Sequence, residues 1–508
     1  DTMVLSGKRL AEYKTWHKLN MEVLQRTANR GSISTGFNID NSVKLEADNS
    51  EFFSRTPDSN SNRQTFTFST WIKRTELGGI NAILEAFQDG SNFFIVGIQN
   101  SDELIVYNID SGTDYGYKYT KLFKDTAAWY HIVFKSDTTN GTAANRWQVY
   151  INGVEITATT ADYGDPPQNY NSNLNSTISH NIGKREDQGT FMSCYLAETH
   201  LIDGTALAPT AFGEFDDDSG VWKPIEVSDV TYGTNGFYLN YITASDMGND
   251  KSGENNDWAE NNIAAADQAT DTPTNNFCTI NTPFEPLVGG PPTITEGATI
   301  MTAGSSGQQD SYGTMALFKG KWYFEFSVLN VGGLAIANMF GGVVKVNRLL
   351  QSSYNNAANG HHSHDGGWGG GVNAVGVHSA SGSGFSAVSG SAVDVVVGVA
   401  VDMDNGKIWW ASGGTYASSS GTVSNPATAT LPQFTNLLTQ YPGEPVVPAF
   451  NHYVHQATTQ GAFNFGNPFD HAFTDIGTNS DANGYGSFAY TPPSGYYAIC
   501  SKNLAEYG

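Results

Sequence analysis

NDWAENNIAAADQATDTPTNNFCTINTP, from Asn256 to Pro283, is the stretch that divides the chain. It is rich in Asn, Asp, Thr and Ala and short of large apolar residues. On both sides lie runs of alternating apolar and polar residues, cut by Gly, Asn and Asp. That alternation is the period of half-buried β-strands. The stretch therefore reads as a solvated strap between two β-rich bodies. Trp258 and Phe277 would pin its ends. Asp271-Thr272-Pro273 would hold it extended, because a residue before proline avoids the helical region.

The bulk composition agrees. A chain of 508 residues is too long for one core. Its 55 glycines, 12% aromatic and 15% charged residues suit sandwiches with many turns better than helical bundles. The balance of 26 basic against 50 acidic residues leaves a net charge of −24. That argues against nucleic acid and anionic membrane surfaces as partners, since both reward Lys and Arg. Cys194, Cys278 and Cys500 share no short spacing, so they predict buried free thiols rather than a zinc site or a disulfide framework. No apolar run is long enough to cross a bilayer, so no membrane insertion is expected. The chain also opens without a signal peptide, which fits a protein released by lysis.

Working outward from the strap, residues 1–35 read as a helical anchor. Leu10, Tyr13, His17, Met21 and Leu24 recur at three- and four-residue steps amid Lys8, Arg9, Lys14, Lys18, Arg26 and Arg30. Residues 36–215 carry strand patterns: FTFSTWIKR (66–74), NFFIVGIQ (92–99), ELIVYNID (103–110) and WYHIVFK (129–135). RWQVYINGVEIT (146–157) is a hairpin on Asn152-Gly153. This segment resembles a laminin-G or concanavalin-like lectin domain. The likeness is carried by Phe68, Ser69, Trp71, Ile72, Trp129, Tyr130, His131, Val149, Tyr150, Asn152, Gly153, Ile182, Gly183 and Leu196-Ala197-Glu198. It implies a two-sheet antiparallel jelly roll whose loops often bind sugars, sometimes with calcium.

Residues 216–294 read as a small module followed by the polar linker. Its Asp216-Asp217-Asp218 is either a cation site or a solvated acidic turn. Residues 295–475 form the second strand-rich unit, with GKWYFEFSVLN (320–330) and a hairpin on Asn405-Gly406. It resembles a SPRY-type sandwich through Gly320 to Glu325, Gly342, Val343, Gly398 to Ala400, Asp402, Asn405 to Trp409, Pro448, Ala449 and Asn464 to Gly466. Residues 476–508 read as a β tail. The fold class expected is all-β, with two antiparallel β-sandwiches and a short N-terminal α-helix. Two stretches further resemble tailed-bacteriophage fibre-type proteins. One is the strap, through Asp257, Trp258, Asn261, Asn262, Asp267, Asp271 and Pro273 to Phe277. The other is the C-terminus, through Pro492, Pro493, Gly495, Cys500, Asn503 and Leu504.

For chemistry, a glycosidase on such a fold needs paired carboxylates facing one cleft, and neither Glu214-Phe215-Asp216 nor Glu103 has a third acid in register. No nucleophile elbow or phosphate loop is present, so no catalytic residue is expected and the chain is not expected to be an enzyme. His361, His362, His364 and Asp365 could ligate a transition metal. The preferred reading is a loop in which His362, His364 and Trp368 meet a sugar or a neighbouring subunit. Asp89, with Asn92 or Asp102, is the candidate calcium site, and the alternative is a plain Asp-Gly turn. The expected role is a virion structural protein of tail-fibre or spike type that binds a host surface glycan or receptor. Its expected partners are further copies of itself, a trimer being natural for a fibre, and other virion proteins. The alternative is a capsid decoration or tail-adaptor protein, and a polysaccharide-degrading enzyme stands third.

Overall fold

The computed structural model describes residues 36–157, 160–283, 292–302, 308–331, 338–346, 367–372, 377–378, 384–385, 396–416, 422–435, 437–440, 443–453, 459–467 and 478–508. The expected N-terminal helix (1–35) lies outside them. The described chain is mostly β, in antiparallel sheets stacked as sandwiches.

In the first sandwich, one sheet runs Val154–Ile156, Trp147–Ile151, Tyr130–Asp137, Thr65–Arg74, Cys194–Asp203, Ser42–Leu45 and Gln268–Ala269, with Phe237–Leu239 also pairing with Cys194–Asp203. We call it the strap sheet. The facing sheet runs Thr160–Gly164, Thr113–Leu122, Glu103–Asp110, Asn92–Ile98, Asn81–Asp89, Ser179–Ile182, Phe52–Arg55 and Ala259–Asn261. We call it the outer sheet. Alternation puts Phe66, Phe68, Ile72, Phe94, Val96, Phe134 and Val149 into the shared core. Asn152 and Gly153 have φ of 49° and 76°, the left-handed pair that a two-residue hairpin requires.

The stretch read as a module at 216–294 differs from that expectation. Phe237–Leu239, Ala259–Asn261 and Gln268–Ala269 are strands of the two sheets just described. They were hidden because each is only two or three residues long, too short to show a period.

The second sandwich packs Thr293–Thr295, Ile300–Thr302, Thr459–Asn464, Lys321–Val331, Val396–Asp402, Lys407–Ser412 and Thr415–Tyr416 against Gln308–Tyr312, Val446–Tyr453, Asn338–Lys345 and Gly367–Val372. Phe324, Phe326, Val399, Trp410, Phe450 and Phe463 fill its core. The expected β tail is a two-residue strand, Tyr497–Ala498, followed by a helix, Ser501–Tyr507. The Tyr507 ring stacks on Tyr497 at 3.9 Å and Leu504 is buried, which folds the last turn back onto the sandwich.

The strap is the main correction. Its ends are pinned as its aromatics suggest: Trp258 packs on Phe237 in the first core, and Phe277 lies in a cluster with Tyr323, Trp409 and Phe488 of the second unit. Between them the strap stays at the surface over residues 259–266, as expected, but from Asp267 to Asn276 it is buried or half-buried rather than solvated, with Asp271 and Thr272 fully enclosed. Lys73, on the outward face of the strap sheet, donates to Asp271 Oδ2 (2.7 Å), Asn276 Oδ1 (2.8 Å) and the Phe277 carbonyl (3.1 Å). Trp129 Nε1 donates to Asp271 Oδ1 (2.9 Å), and Ser42 Oγ to its carbonyl (2.6 Å). From the second unit, Asn467 Oδ1 accepts from the Asp271 amide, and Cys278 N donates to the Ile499 carbonyl. Polar strap residues thus replace water with partners from both bodies, which is what burial of polar groups demands.

A second junction lies beside it. Glu296, Gly297 and Ala298 all take left-handed φ values of 52°, 65° and 59°. The turn they form is held by Lys44 on Glu296 (2.6 Å), Glu46 Oε1 accepting from Gly297 N, and Tyr195 Oη donating to the Gly297 carbonyl (3.0 Å). Asp267 and Glu51 complete an acidic cluster around Lys44 and Glu46. Burial pushes the Glu46 carboxyl up to about 8 and that of Glu51 up to about 7.

Two outcomes are expected. Asp271→Asn strands the Lys73 ammonium and should cost roughly 3–5 kcal/mol in urea unfolding, whereas Lys73→Met combined with Asp271→Leu should cost much less; equal costs would mean that the pair is not the constraint. Because Glu46 and Glu51 hold protons in the native state above the ordinary carboxylate range, the native state binds more protons than the unfolded chain between about pH 5 and 8. Their contribution is therefore complete at the acid end of that window and is lost as pH rises through it. Unfolding curves across this range should show Glu46→Gln flattening the decline.

Candidate functional site

Two regions of the first sandwich concentrate chemistry-bearing side chains. The first lies on the outward face of the strap sheet. Alternation places Ser69 and Trp71, His131, and Glu198 and His200 on three adjacent strands. Ser69 Oγ is 2.8 Å from His131 Nε2, and Trp222 Nε1 donates to His131 Nδ1 at 3.0 Å. An indole N–H only donates, so Nδ1 is the acceptor and the proton sits on Nε2. His131 therefore donates to Ser69 and cannot take its proton. Burial pulls this imidazole down to about 3; Trp71 stacks on its face (4.7 Å) while Trp222, nearly parallel to it, meets its edge (6.0 Å). Nearby, Tyr238 Oη donates to Glu198 Oε2 (2.7 Å) and His200 Nδ1 meets Tyr232 Oη (2.9 Å). Glu198 has φ of 47° within the bulge between Ala197 and His200. Phe212, Pro224, Ile225 and Val227 roof the cluster and leave no room for a water molecule. As it stands it is a closed polar network that fixes the cover on the sheet.

The second region is the outward face of the outer sheet. Register places Phe87, Phe93, Ile109 and Asp114 in one cross-strand row, and Glu85, Ile95, Tyr107 and Gly116 in the next. Their aromatic rings form a continuous series: Phe87 to Phe93 at 6.2 Å, Phe93 to Tyr107 at 5.5 Å, and Tyr107 to Tyr163 at 4.5 Å. Phe93 is buried, Phe87 and Tyr107 are half-buried, and Tyr163 is 39% exposed. Burial, then the neighbouring Asp114, keeps the Tyr107 phenol protonated far above its ordinary range. The hairpin of Lys184–Arg185 and Thr190–Phe191 lies against Asn81–Asp89, with Arg185 held bidentately by Asp187 (2.6 and 3.0 Å). Beneath it, Glu85 accepts from Glu186 N (2.8 Å) and Asn181 Nδ2 (3.2 Å), and burial pushes its carboxyl up to about 7. An apolar platform rimmed by convergent polar groups is the usual form of a ligand-binding surface.

The residues singled out by sequence are dispersed. His362 and His364 lie outside the described residues, and Trp368 sits on the strand Gly367–Val372, paired with Val343. Asp89 accepts from Ser91 N (2.8 Å) and Asn92 Nδ2 (3.0 Å), as a turn aspartate does. Asp102 is at the other end of Asn92–Ile98, about 20 Å away at the usual strand rise. It accepts from Arg74 (2.8 Å) and Gly78 N (2.9 Å). One ion cannot be shared by Asp89 and Asp102, and the Arg74 guanidinium already serves the latter. Asp216 caps its own turn through Ser219 (2.9 Å) and meets Lys223 (3.2 Å). Sequence reading missed the aromatic row. Its signal was the unbroken apolar runs NFFIVGI and ELIVY, which mark strands with something to pack on both faces.

Comparison with known proteins agrees with this geometry. Residues 48–210 match the Laminin_G_3 model of the concanavalin A-like lectin/glucanases superfamily. Residues 48–210 thus form a concanavalin-like domain, consistent with their two antiparallel sheets. No curated protein matches the chain. Among solved structures, it is similar to domain 4 of AbnA, a GH43 extracellular arabinanase from Geobacillus stearothermophilus, in complex with arabinotriose, at 20% identity over 30% of this chain and 65% of that one, with a TM-score of 0.22. It is also similar to the SPRY domain of human HERC1, at 13% identity over 32% and 87% with a TM-score of 0.23. A third is a heptameric SAP-like pentraxin from Limulus polyphemus, at 14% identity over 40% and 94% with a TM-score of 0.26.

Ser69→Ala should leave the His131 Nε2–H without an acceptor and cost about 1–3 kcal/mol in thermal unfolding. A neutral effect would mean that water or a rotated ring replaces the hydroxyl.

Proposed function

We propose that this chain is a non-enzymatic structural component of a tailed-bacteriophage virion, of fibre or spike type, that binds a host surface glycan. The observation that carries the binding part is the accessible end of the aromatic row on the outer sheet, exposed Tyr163 against half-buried Tyr107, backed by buried Phe93. Aromatic rings present large, flat apolar area at little entropic cost, and the C–H faces of sugar rings stack on such surfaces. Tyr107 and Asp114 supply hydrogen-bonding groups for the hydroxyls. The family matched by residues 48–210 is named for lectins as well as glucanases, which supports sugar as the ligand class. The closed Ser69–His131 network supports binding rather than catalysis.

The virion part rests on the resemblance of the strap and of the C-terminal segment to fibre-type proteins. Burial of both segments at the junction of the units explains why their residue order would be constrained. Presentation in several copies would multiply weak single contacts.

The test is binding of fluorescently labelled full-length protein to candidate host cells, with free glycans as competitors. Saturable binding that a specific sugar competes away, and that falls at least ~10-fold in Tyr107→Ala, is the expected result. A folded protein that binds no host cell would instead fit a capsid decoration or tail-adaptor role.

A further inference from the structure

We infer that the aromatic row takes an uncharged glycan and that the surface around it excludes anionic sugars. The inference rests on the glycan-binding reading and adds the ligand's charge class.

Each cation described on this face already has its own carboxylate. Arg185 is locked on Asp187 by two bonds, Lys184 pairs with Glu186 at 2.6 Å, and Lys118 pairs with Glu103 at 2.6 Å. Lys184 also lies over the Phe52 ring at 4.5 Å, away from the row. Among the described residues, no cation pairs with Asp89, Asp110 or Asp114. Asp89 serves only its turn, Asp110 accepts from Ser111 Oγ (3.2 Å), and Asp114 stands opposite Ile109 in the row. A sugar carboxylate or sulfate is recognised by an Arg fork or a Lys ammonium. Here the Arg185 fork is occupied, and the carboxylate that lies in the row, Asp114, accepts from the Tyr107 hydroxyl and brings its charge onto the platform. An approaching anion meets like charge from Asp114, in a chain whose net charge is already −24.

The same groups suit an uncharged chain of sugars. Carboxylates accept hydrogen bonds from hydroxyl and amide donors. Beside Tyr107 its cross-strand partner is Gly116, and Gly116 in turn pairs with Gly164, so these two positions add no side chain to the floor. Gly116 has φ of 144°, and a Cβ there would meet the Val106 carbonyl at 2.2 Å, so the position stays open. Exposed Tyr163, half-buried Tyr107 and this floor form a strip across the edge strands, the shape of a short oligosaccharide rather than of a single sugar.

The experiment is an array carrying matched pairs of oligosaccharides, each core presented uncharged and with an added sialic acid, uronate or sulfate. The intact chain is applied at low and at physiological salt, followed by titration calorimetry on the retained members. The expected result is retention of uncharged members and at least ~10-fold weaker binding of their anionic partners at low salt, the gap narrowing as salt rises. Asp114→Asn should close most of that gap. Anionic members bound as tightly as their uncharged partners would overturn the inference. So would uncharged binding that survives Tyr107→Ala unchanged, since the ligand would then sit elsewhere while the glycan-binding reading stands. Retention of no glycan by the folded chain would remove the glycan-binding reading itself.

Discussion

The ion pair of Lys73 and Asp271 is the constraint around which the two sandwiches are arranged. Both side chains are fully buried, 198 residues apart in sequence, and each makes further hydrogen bonds that complete its shell. Such a pair does not stabilise a protein simply by existing, because desolvation offsets much of the attraction. What it does is penalise every alternative: any other path for the strap leaves a charge buried and unpaired. The Trp129 indole and the Asn467 amide act on the same aspartate, so one residue sets the position of the strap against both bodies.

The strap and the segment at 212–227 also decide which surface is left for a ligand. They occupy the outward face of the strap sheet, where Trp71, His131 and Trp222 stack and Glu198 and His200 are sealed in. A polar, histidine-rich cluster there could be taken for a reaction centre. The direction of the Trp222 N–H shows why it is not a base: the proton of His131 is already committed to Ser69. On the outer sheet Phe93, Ile95 and Ile105 are buried as well, but Tyr107 is only half-buried and Tyr163 is exposed, so this end of the face offers apolar area to a partner. Specificity on that face comes less from the rings than from the charges at its edge.

Much of the architecture was legible from local pattern. Alternation in FTFSTWIKR and GKWYFEFSVLN, and the turns at Asn152-Gly153 and Asn405-Gly406, specify strands and hairpins through short-range geometry alone. The candidate sites were far less legible. Asp89 and Asp102 look close in sequence, but a strand of seven residues separates them in space. Glu85, Tyr107, Gly116 and Asn181 share a face only after five strands take their register.

The sequence by itself thus determined a chain of β-sandwiches, its hairpin turns, its acidic character and the aromatic anchors at the ends of the strap, because each depends on residues a few positions apart. Only the tertiary structure decided that the second half of the strap is buried, that the short strands of 237–269 belong to the first sandwich, and that one sheet face is closed while the other leaves Tyr163 exposed. Those outcomes depend on polar partners and cross-strand neighbours brought together from distant parts of the chain, and the free energy of satisfying a buried donor or charge carries no local signature.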